Sequence, residues 1–440
     1  MKRTSVCCLI AWVGCFAVDP CNATWREFLD RPTLTGDWGG WRDPFAQKGL
    51  TSEFVYTADV FSTVSGGRHR GTRYLDNFDL TATYVPPLEG FDAGTFFVYG
   101  LANHGGNPSS DAGDAQGVDN ITAPQSIKLY EAWWQKAIFG ERASLLLGLY
   151  DLNSEFDSIE SAALFINSSF GIGPEFALSG VNGPSIFPFT SLGGRLKTDP
   201  TDHFSLQVAV LDGVAGDPAD DQGTQIIIDK DDGVLVVAEV DFFVFGQGYQ
   251  DQESTKRARS RRIGRGWGEL PYVVKLGVGA WVYSKNLDRI DRTRPGGEPI
   301  DEQAHPGVYV FGDWDAYSED ARSLQGLSVF ARAGFADGDV QQFDAFAGGG
   351  LVYTGPIPGR DDDRIGIGVA AAHNGDPFRQ SVRISGERPA DWEVALETSY
   401  RAQVTGWLAL QPDLQLVIDP GGLEEDGDAV VVGLRSEIAF

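Results

Sequence analysis

Apolar and polar residues alternate along the C-terminal third of the chain. Between residues 392 and 404, apolar side chains and one threonine occupy the even positions, whereas Glu397 and Arg401 are among the odd ones. The same alternation runs through residues 408–418 and 429–440. A period of two residues is typical of a β-strand that has one apolar and one polar face. The pattern therefore predicts a sheet whose two faces meet different surroundings.

Similar segments recur along the chain and predict sixteen strands, which is an even number, as single-chain bacterial outer-membrane barrels require. A count of eighteen stays open, because strand ends are the least certain part of such a prediction. Sixteen strands leave an aqueous channel inside the barrel. The predicted strands are 51–62, 74–85, 94–103, 127–138, 143–152, 191–199, 203–211, 234–244, 272–284, 308–317, 327–335, 344–354, 365–373, 391–404, 407–418 and 429–440.

Aromatic residues favour a membrane barrel over a soluble β-sandwich or propeller, which would alternate as well. They recur near the predicted strand ends, for example at Tyr84, Trp134, Trp314 and Trp392, as interfacial girdles require. The chain also ends on Phe440 within an alternating strand, an ending that the barrel-assembly machinery of the outer membrane would recognise. The predicted fold class is all-β: a transmembrane antiparallel β-barrel of about 16 strands over residues 51–440, with long outer loops and a short N-terminal helix.

One connection departs from the expected alternation of long outer loops and short inner turns. Segment 245–271 falls at the periplasmic end but is long, and it carries a basic run between Lys256 and Arg265. It is either a solvated insertion or a surface for anionic lipid or a periplasmic partner. The long outer loops are predicted at 104–126, 153–190, 212–233, 285–307 and 374–390.

The first 23 residues read as a secretory signal peptide. They begin with Lys2 and Arg3, continue with an apolar run too short to span a membrane, and close on small residues before Thr24. All four cysteines lie in this stretch. A lipoprotein signal cut before Cys15 is the alternative. Export to the outer membrane of a Gram-negative-type bacterium is the predicted localisation.

Composition excludes several classes of function. The chain has 35 Lys+Arg against 62 Asp+Glu and a formal net charge of -27, which argues against nucleic acid as a partner. Its five histidines are scattered, with no metal-spaced pair and no Gly-x-Ser-x-Gly nucleophile motif. We therefore expect neither enzymatic activity nor a cofactor or metal site.

Several segments resemble the carbohydrate-selective porin family, OprB. The resemblance is carried by LTGDWGGWRDPFAQKGL at 34–50, YEAWWQ at 130–135, DLNSEFD at 151–157, FINSSFGIGP at 165–174, NGPSIFP at 182–188, YRAQVTGWLALQPDLQ at 400–415 and DPGG at 419–422. It implies a sixteen-stranded outer-membrane barrel that passes glucose and related sugars by facilitated diffusion. The chain departs from the family pattern at Gly406, where proline is frequent, and in the basic segment.

The outer loop 153–190 is the candidate constriction. It is rich in asparagine, serine, glycine and phenylalanine, including Asn153, Asn167 and Asn182. Amide and hydroxyl groups can bond the hydroxyls of a neutral sugar, and aromatic rings can cover its C–H faces. We expect this loop to fold into the barrel and narrow it; the alternative is a loop that only caps the barrel.

Strand parity predicts which charged side chains face the lumen. Such residues could bond vicinal hydroxyls, although any of them could be only a solvated wall charge. The candidate pore-lining residues on the strands are Asp79, Glu131, Arg195, Arg332, Glu397 and Arg401.

Two further groups are predicted near the ends of the barrel. Arg68, Arg70 and Arg73 fall in or beside the first outer loop, where they could guard the entrance or contact lipopolysaccharide phosphate. In segment 24–50, Trp38, Trp41 and Arg42 are predicted to form a periplasmic collar or plug, with a short helix over residues 45–48 that Asp37 caps and Gly49 ends.

These features predict a porin for small sugars, with a water-filled channel narrowed by a loop. The alternative is a general or cation-preferring porin, which the acidic net charge favours. The sequence does not indicate which sugar is preferred, nor whether the barrel is a monomer or a homo-oligomer.

Overall fold

The computed structural model describes residues 25–88, 92–140, 142–245, 273–293, 299–302, 305–319 and 325–440. Sixteen of its strands form one closed antiparallel barrel, which confirms the predicted fold class. The predicted signal peptide and the basic run within 245–271 lie outside the described residues. The strands are β1 Leu50–Ser65, β2 Gly71–Tyr84, β3 Thr95–Gly105, β4 Ser126–Ile138, β5 Ala143–Tyr150, β6 Ser191–Thr201, β7 Phe204–Asp212, β8 Val234–Val244, β9 Val274–Tyr283, β10 Leu287–Thr293, β11 Pro299–Glu302, β12 His305–Ser318, β13 Gly326–Ala336, β14 Phe343–Thr354, β15 Arg364–Asn374, β16 Trp392–Thr405, β17 Leu408–Ile418 and β18 Ala429–Ala439.

Each barrel strand pairs with its neighbours along the chain, and β1 closes the barrel against β18 with Asp59 opposite Arg435. Strands β10 and β11 form a separate two-stranded sheet in the loop between β9 and β12. Every predicted strand therefore corresponds to an observed barrel strand, with ends that differ by a few residues.

The helices of the described residues are short, and none of them forms part of the barrel wall. None of those in the described part of the chain is long and apolar enough to cross a membrane. They are α1 Trp25–Leu29, α2 Arg42–Gln47, α3 Ser109–Ala112, α4 Pro174–Ala177 and α5 Asp376–Ser385, with single 3-10 turns at Leu152–Ser154, Ser161–Leu164, Ser168–Phe170 and Pro420–Gly422.

The predicted N-terminal helix is present, but its start was predicted wrongly. Helix α2 begins at Arg42 and has no side-chain cap. Asp37 instead accepts a hydrogen bond from the main-chain N–H of Gly39. The helix ends at Gln47, and Gly49, which follows the capping residue Lys48, has a φ of 82°. Glycine adopts this left-handed conformation without the steric cost of a Cβ atom.

The two faces of the wall differ as the alternation predicts. On β9, Leu276 and Val278 point outwards and are 50% and 58% exposed, whereas Lys275 and Trp281 point inwards and are buried. Outward aromatic side chains lie near the strand ends, as in an interfacial girdle. The inward face is covered as well, because chain segments fill part of the barrel.

The N-terminal segment, residues 25–49, forms a strap across the end of the barrel at which β16 turns into β17. The N–H of Gly406 donates to the carbonyl of Leu29, and Trp407 donates to the carbonyl of Phe28. A Cβ atom at Gly406 would lie 2.1 Å from the carbonyl oxygen of Arg31. Glycine replaces the family's frequent proline here because the strap needs both the N–H and the close approach.

The strap continues to the seam between β1 and β18. Arg42 donates to the carbonyl of Phe440 at 2.8 Å, and its guanidinium lies over the ring of Trp38. Trp38 packs edge-on against Phe54, while Trp41 is 63% exposed. Trp38 and Arg42 thus hold the strap to the seam at the outward face of β1, where Phe54 lies, whereas Trp41 packs against Phe45 of α2.

Candidate pore and its constriction

The connection between β5 and β6, residues 151–190, lies inside the barrel; we call it the inward loop. Its Phe165 and Phe170 rings stack with centroids 4.5 Å apart, and both pack against Phe330 on β13. The wall beneath these rings has glycine in place of larger side chains. A Cβ atom at Gly368 would lie 2.7 Å from the Phe170 ring. Glycines in β15 thus make room for the aromatic side chains of the loop.

A second aromatic contact holds the far part of the inward loop. Phe176 in α4 stacks on Trp281 of β9, with centroids 4.1 Å apart and planes 16° apart. Tyr309 and Phe311 of β12 continue the stack along the wall. These rings belong to one buried apolar cluster between loop and wall. The loop is therefore packed like part of a protein core, and this burial stabilises its position inside the barrel.

Wall carboxylates accept hydrogen bonds from the main chain of the inward loop. Glu239 on β8 accepts from the N–H of Asp157 at 2.7 Å. Glu397 on β16 accepts from the N–H groups of Ile166 and Asn167 at 2.6 and 2.9 Å. An irregular buried segment lacks the regular partners of a strand or helix, so its N–H groups need such acceptors.

Wall donors satisfy the loop carbonyls in the same way. Arg332 on β13 donates to the carbonyls of Ser169, Phe170 and Gly171 at 3.2–3.3 Å. Its guanidinium also forms an ion pair with Asp157, 2.9 Å from Nε to Oδ1. Both side chains of this pair are fully or almost fully buried.

Arg195 on β6 anchors the first turn of the loop. Its Nε and Nη2 atoms donate to the two carboxylate oxygens of Glu155 at 2.7 and 2.8 Å. Burial opposes ionisation of Glu155, but the charges of Arg195 and Lys197 outweigh it and lower the pKa of Glu155 to about 2. The pair is a bidentate, charge-assisted contact between wall and loop.

The predicted pore-lining role of five residues needs correction. They lie on the inward side, but the inward loop covers them or contains them, so that water and solutes do not reach their side chains. Strand parity identifies an inward face, but it does not reveal what covers that face. The five, all at most 4% exposed, are Glu131, Asn167, Arg195, Arg332 and Glu397.

The other two predicted loop asparagines are half-buried and bond main-chain carbonyls. Asn153 donates to the carbonyls of Phe156 and Gly171 within the inward loop. Asn182 donates to the carbonyl of Ala215 in the next outer loop at 2.6 Å. Both asparagines hold the conformation of the loop. The sequence pattern does not distinguish this structural role from contact with a sugar.

A second connection, residues 106–125 between β3 and β4, also reaches into the barrel. Glu393 on β16 accepts from the N–H groups of Ala115 and Gln116. Arg435 on β18 lies between two fully buried carboxylates, Asp59 of β1 and Asp119 of this loop, at 2.7 and 3.3 Å. Sequence reasoning missed the role of both wall residues, although their parity placed them on the inward face.

The lumen surface that stays partly exposed is polar and carries both signs of charge. Asp79 on β2 is half-buried and accepts hydrogen bonds from Asn77 and Tyr99. Arg401 on β16 is half-buried too and forms an ion pair with Glu437 at 2.7 Å. These are the two predicted strand residues that remain available to a solute.

The predicted entrance arginines mostly tie outer loops together. Arg68 pairs with Asp426 at 3.0 Å and Arg73 with Asp111 at 2.7 Å. The hydrogen bond from Arg73 lowers the pKa of Asp111. Arg70 is exposed at the outer end. Among the described residues, no group of three potential metal-ligating side chains is close enough to hold an ion.

Comparison with known proteins agrees with this architecture. The family model described as "Carbohydrate-selective porin, OprB family" matches residues 69–440. Porin B of Pseudomonas aeruginosa is 23% identical over 430 residues, covering 92% of this chain and 91% of that protein.

Solved structures show the same fold. The high-pH structure of Pseudomonas putida OprB superposes with a TM-score of 0.77 at 21% identity, covering 93% of this chain and 99% of that one. Its low-pH structure gives a TM-score of 0.58 at 18% identity, with the same coverage. The outer-membrane channel DcaP of Acinetobacter baumannii gives 0.52 at 11% identity, covering 89% of this chain and 97% of that one. With the family model spanning most of the chain, this protein belongs to the OprB family of carbohydrate-selective porins.

Proposed function

We propose that this outer-membrane channel passes small neutral sugars by facilitated diffusion. The observation that carries the proposal is the position of the inward loop, which is packed against the lumen wall instead of lying over the outer end. A sixteen-stranded barrel without such a loop would leave a wide aqueous channel. The loop reduces that width to a passage in which a solute contacts the walls.

The groups left at this passage suit a polyol. The inward loop contributes exposed Ser154 and half-buried Glu160, and β2 and β16 contribute half-buried Asp79 and Arg401. Glu160 interacts electrostatically with Arg364 on β15. Donors and acceptors along the passage allow a hydroxylated solute to exchange water for protein hydrogen bonds as it passes.

Planar-bilayer recordings with and without glucose test this function. We expect glucose to reduce the ion current, and Arg401→Gln to raise the half-blocking glucose concentration by about tenfold, because a hydrogen bond to a charged group contributes about 1.5–3 kcal/mol. Arg388→Gln is the matched control, since Arg388 is 69% exposed beside Glu424 in an outer loop. An ion current with strong cation preference that glucose leaves unchanged would instead establish a general or cation-preferring porin.

A further inference from the structure

Glu175 is a buried carboxyl group of the inward loop that none of the contacts described above employs. It lies in α4, its side chain is 0% exposed, and neither carboxyl oxygen has a hydrogen-bond partner among the described residues. A buried ionised carboxylate without donors is costly, so an acidic group in this position favours its neutral form.

The surroundings of Glu175 form a closely fitting notch. A Cβ atom at Gly334 on β13 would lie 1.8 Å from its Oε1 atom, and one at Gly173 would lie 2.3 Å from its Oε2 atom. Two glycines, one on the wall and one on the loop, therefore leave the space that the carboxyl group fills. The carboxyl group of Glu175 therefore lies at the contact between the inward loop and β13.

Two acidic groups, Asp157 and Glu175, lie near one positive charge, the guanidinium of Arg332. Arg332 on β13 is already paired with Asp157, whose Oδ2 also accepts from the N–H of Gly173. Burial raises the pKa of Glu175 to about 8, and the negative charge of Asp157 adds to the shift. Burial raises the pKa of Asp157 as well, but the guanidinium of Arg332 opposes that shift.

The wider surroundings of the notch contain further charges. Lys275 on β9 acts electrostatically on Asp157, and so does the phenol of Tyr309 on β12, which donates to Glu239. Glu239 in turn accepts the N–H of Asp157. Lys275 favours the charge on Asp157, whereas Glu239 is a further acidic group nearby, and no hydrogen bond from Lys275 or Tyr309 reaches the carboxyl group of Glu175.

We propose that Glu175 is a positioning residue of the channel, whose bound proton keeps the inward loop seated against β13. When the proton is lost, two adjacent buried carboxylates share one guanidinium. Repulsion between the two carboxylates then favours movement of α4 away from the wall. This movement changes the width of the passage. The proposal concerns the ion current itself, so it stands or falls independently of sugar selectivity.

Single-channel conductance measured in the absence of sugar, from about pH 6 to about pH 10, tests the proposal. We expect the wild type to change its conductance about twofold with a midpoint near pH 8, as an element released by a charge change would. Glu175→Gln keeps the shape of the neutral carboxyl group and should show a flat profile. Glu387→Gln, an exposed outer-loop change, should keep the wild-type profile.

Thermal unfolding gives a second readout. The folded protein binds this proton more tightly than the unfolded chain, whose ordinary pKa is 4.5, so the stabilisation is complete below pH 4.5 and is lost as pH rises to about 8. Glu175→Gln should therefore unfold at a higher temperature than the wild type at pH 8 and at a similar one at pH 4.5. Identical conductance profiles in wild type and Glu175→Gln, or equal stability at both pH values, would overturn the proposal.

Discussion

At the scale of single residues, buried polar side chains of the lumen wall hydrogen-bond the main chain of the inward loop. Arg332 donates to three loop carbonyls and neutralises Asp157, while Glu397 accepts two loop N–H groups. Charged residues on the inward face thus supply the hydrogen-bond partners that a neighbouring strand supplies to the main chain of a regular segment. For the same reason, a net charge of -27 does not report the charge of the passage.

Arg332→Gln tests this use of a buried charge. The change leaves Asp157 buried without its cation, which costs about 3–5 kcal/mol in comparable sites. We expect a lower unfolding temperature and a larger, more variable single-channel conductance, because the inward loop loses several anchors at once. Arg388→Gln provides an exposed arginine control. Unchanged conductance and stability in Arg332→Gln would show that the loop is held by its apolar contacts alone.

At the scale of elements, the aromatic side chains of the inward loop fit against the glycines of β15. Phe165 and Phe170 occupy space above Gly366 and Gly368 that larger side chains at these two positions of β15 would fill. The sequence shows the glycines and the phenylalanines, but the pattern does not pair them, because they are nearly 200 positions apart and meet only when the barrel has closed.

Gly368→Val tests whether the contact between β15 and the Phe170 ring positions the inward loop, separately from any effect on the stability of the sheet. Its side chain would enter the space of the Phe170 ring, whose atoms lie 2.7 Å from an added Cβ, and overpacking of this kind costs about 1–3 kcal/mol. We expect the loop to shift and the conductance to rise. Gly100→Val is the matched control, since Gly100 faces outwards on β3 and its nearest atom is 3.8 Å away. Equal effects of the two changes would point to the strands and not to the loop.

At the scale of the whole molecule, closure of the barrel brings distant parts of the chain together at one seam. Arg435 on β18 bridges Asp59 on β1 and Asp119 in the loop after β3, and the last residue contacts the N-terminal strap. Burial raises the pKa of Asp119, and the nearby charge of Asp59 adds to that shift. The seam therefore depends on a guanidinium held between two buried carboxylates.

Arg435→Met should impair closure of the barrel, because both carboxylates then lie in a site without a compensating charge. The fraction of protein with the compact electrophoretic mobility of an unheated barrel measures this, and we expect it to fall. The triple change Asp59→Leu, Asp119→Asn and Arg435→Met removes all three charges and should recover much of the loss, since apolar replacement of a buried ion group is often neutral or stabilising. A single variant as well folded as the wild type would contradict this account.

The periodicity of the sequence alone determined the barrel: its sixteen strands, their approximate ends and their inward faces follow from a two-residue alternation that is local. Tertiary structure decided what occupies the inward face. Glu131, Arg195, Arg332 and Glu397 have the parity of pore-lining residues, but they lie beneath a loop whose position depends on ring stacking, glycine notches and main-chain hydrogen bonds across the closed barrel. The candidate passage is therefore defined by contacts between residues far apart in the chain, which a local pattern does not contain.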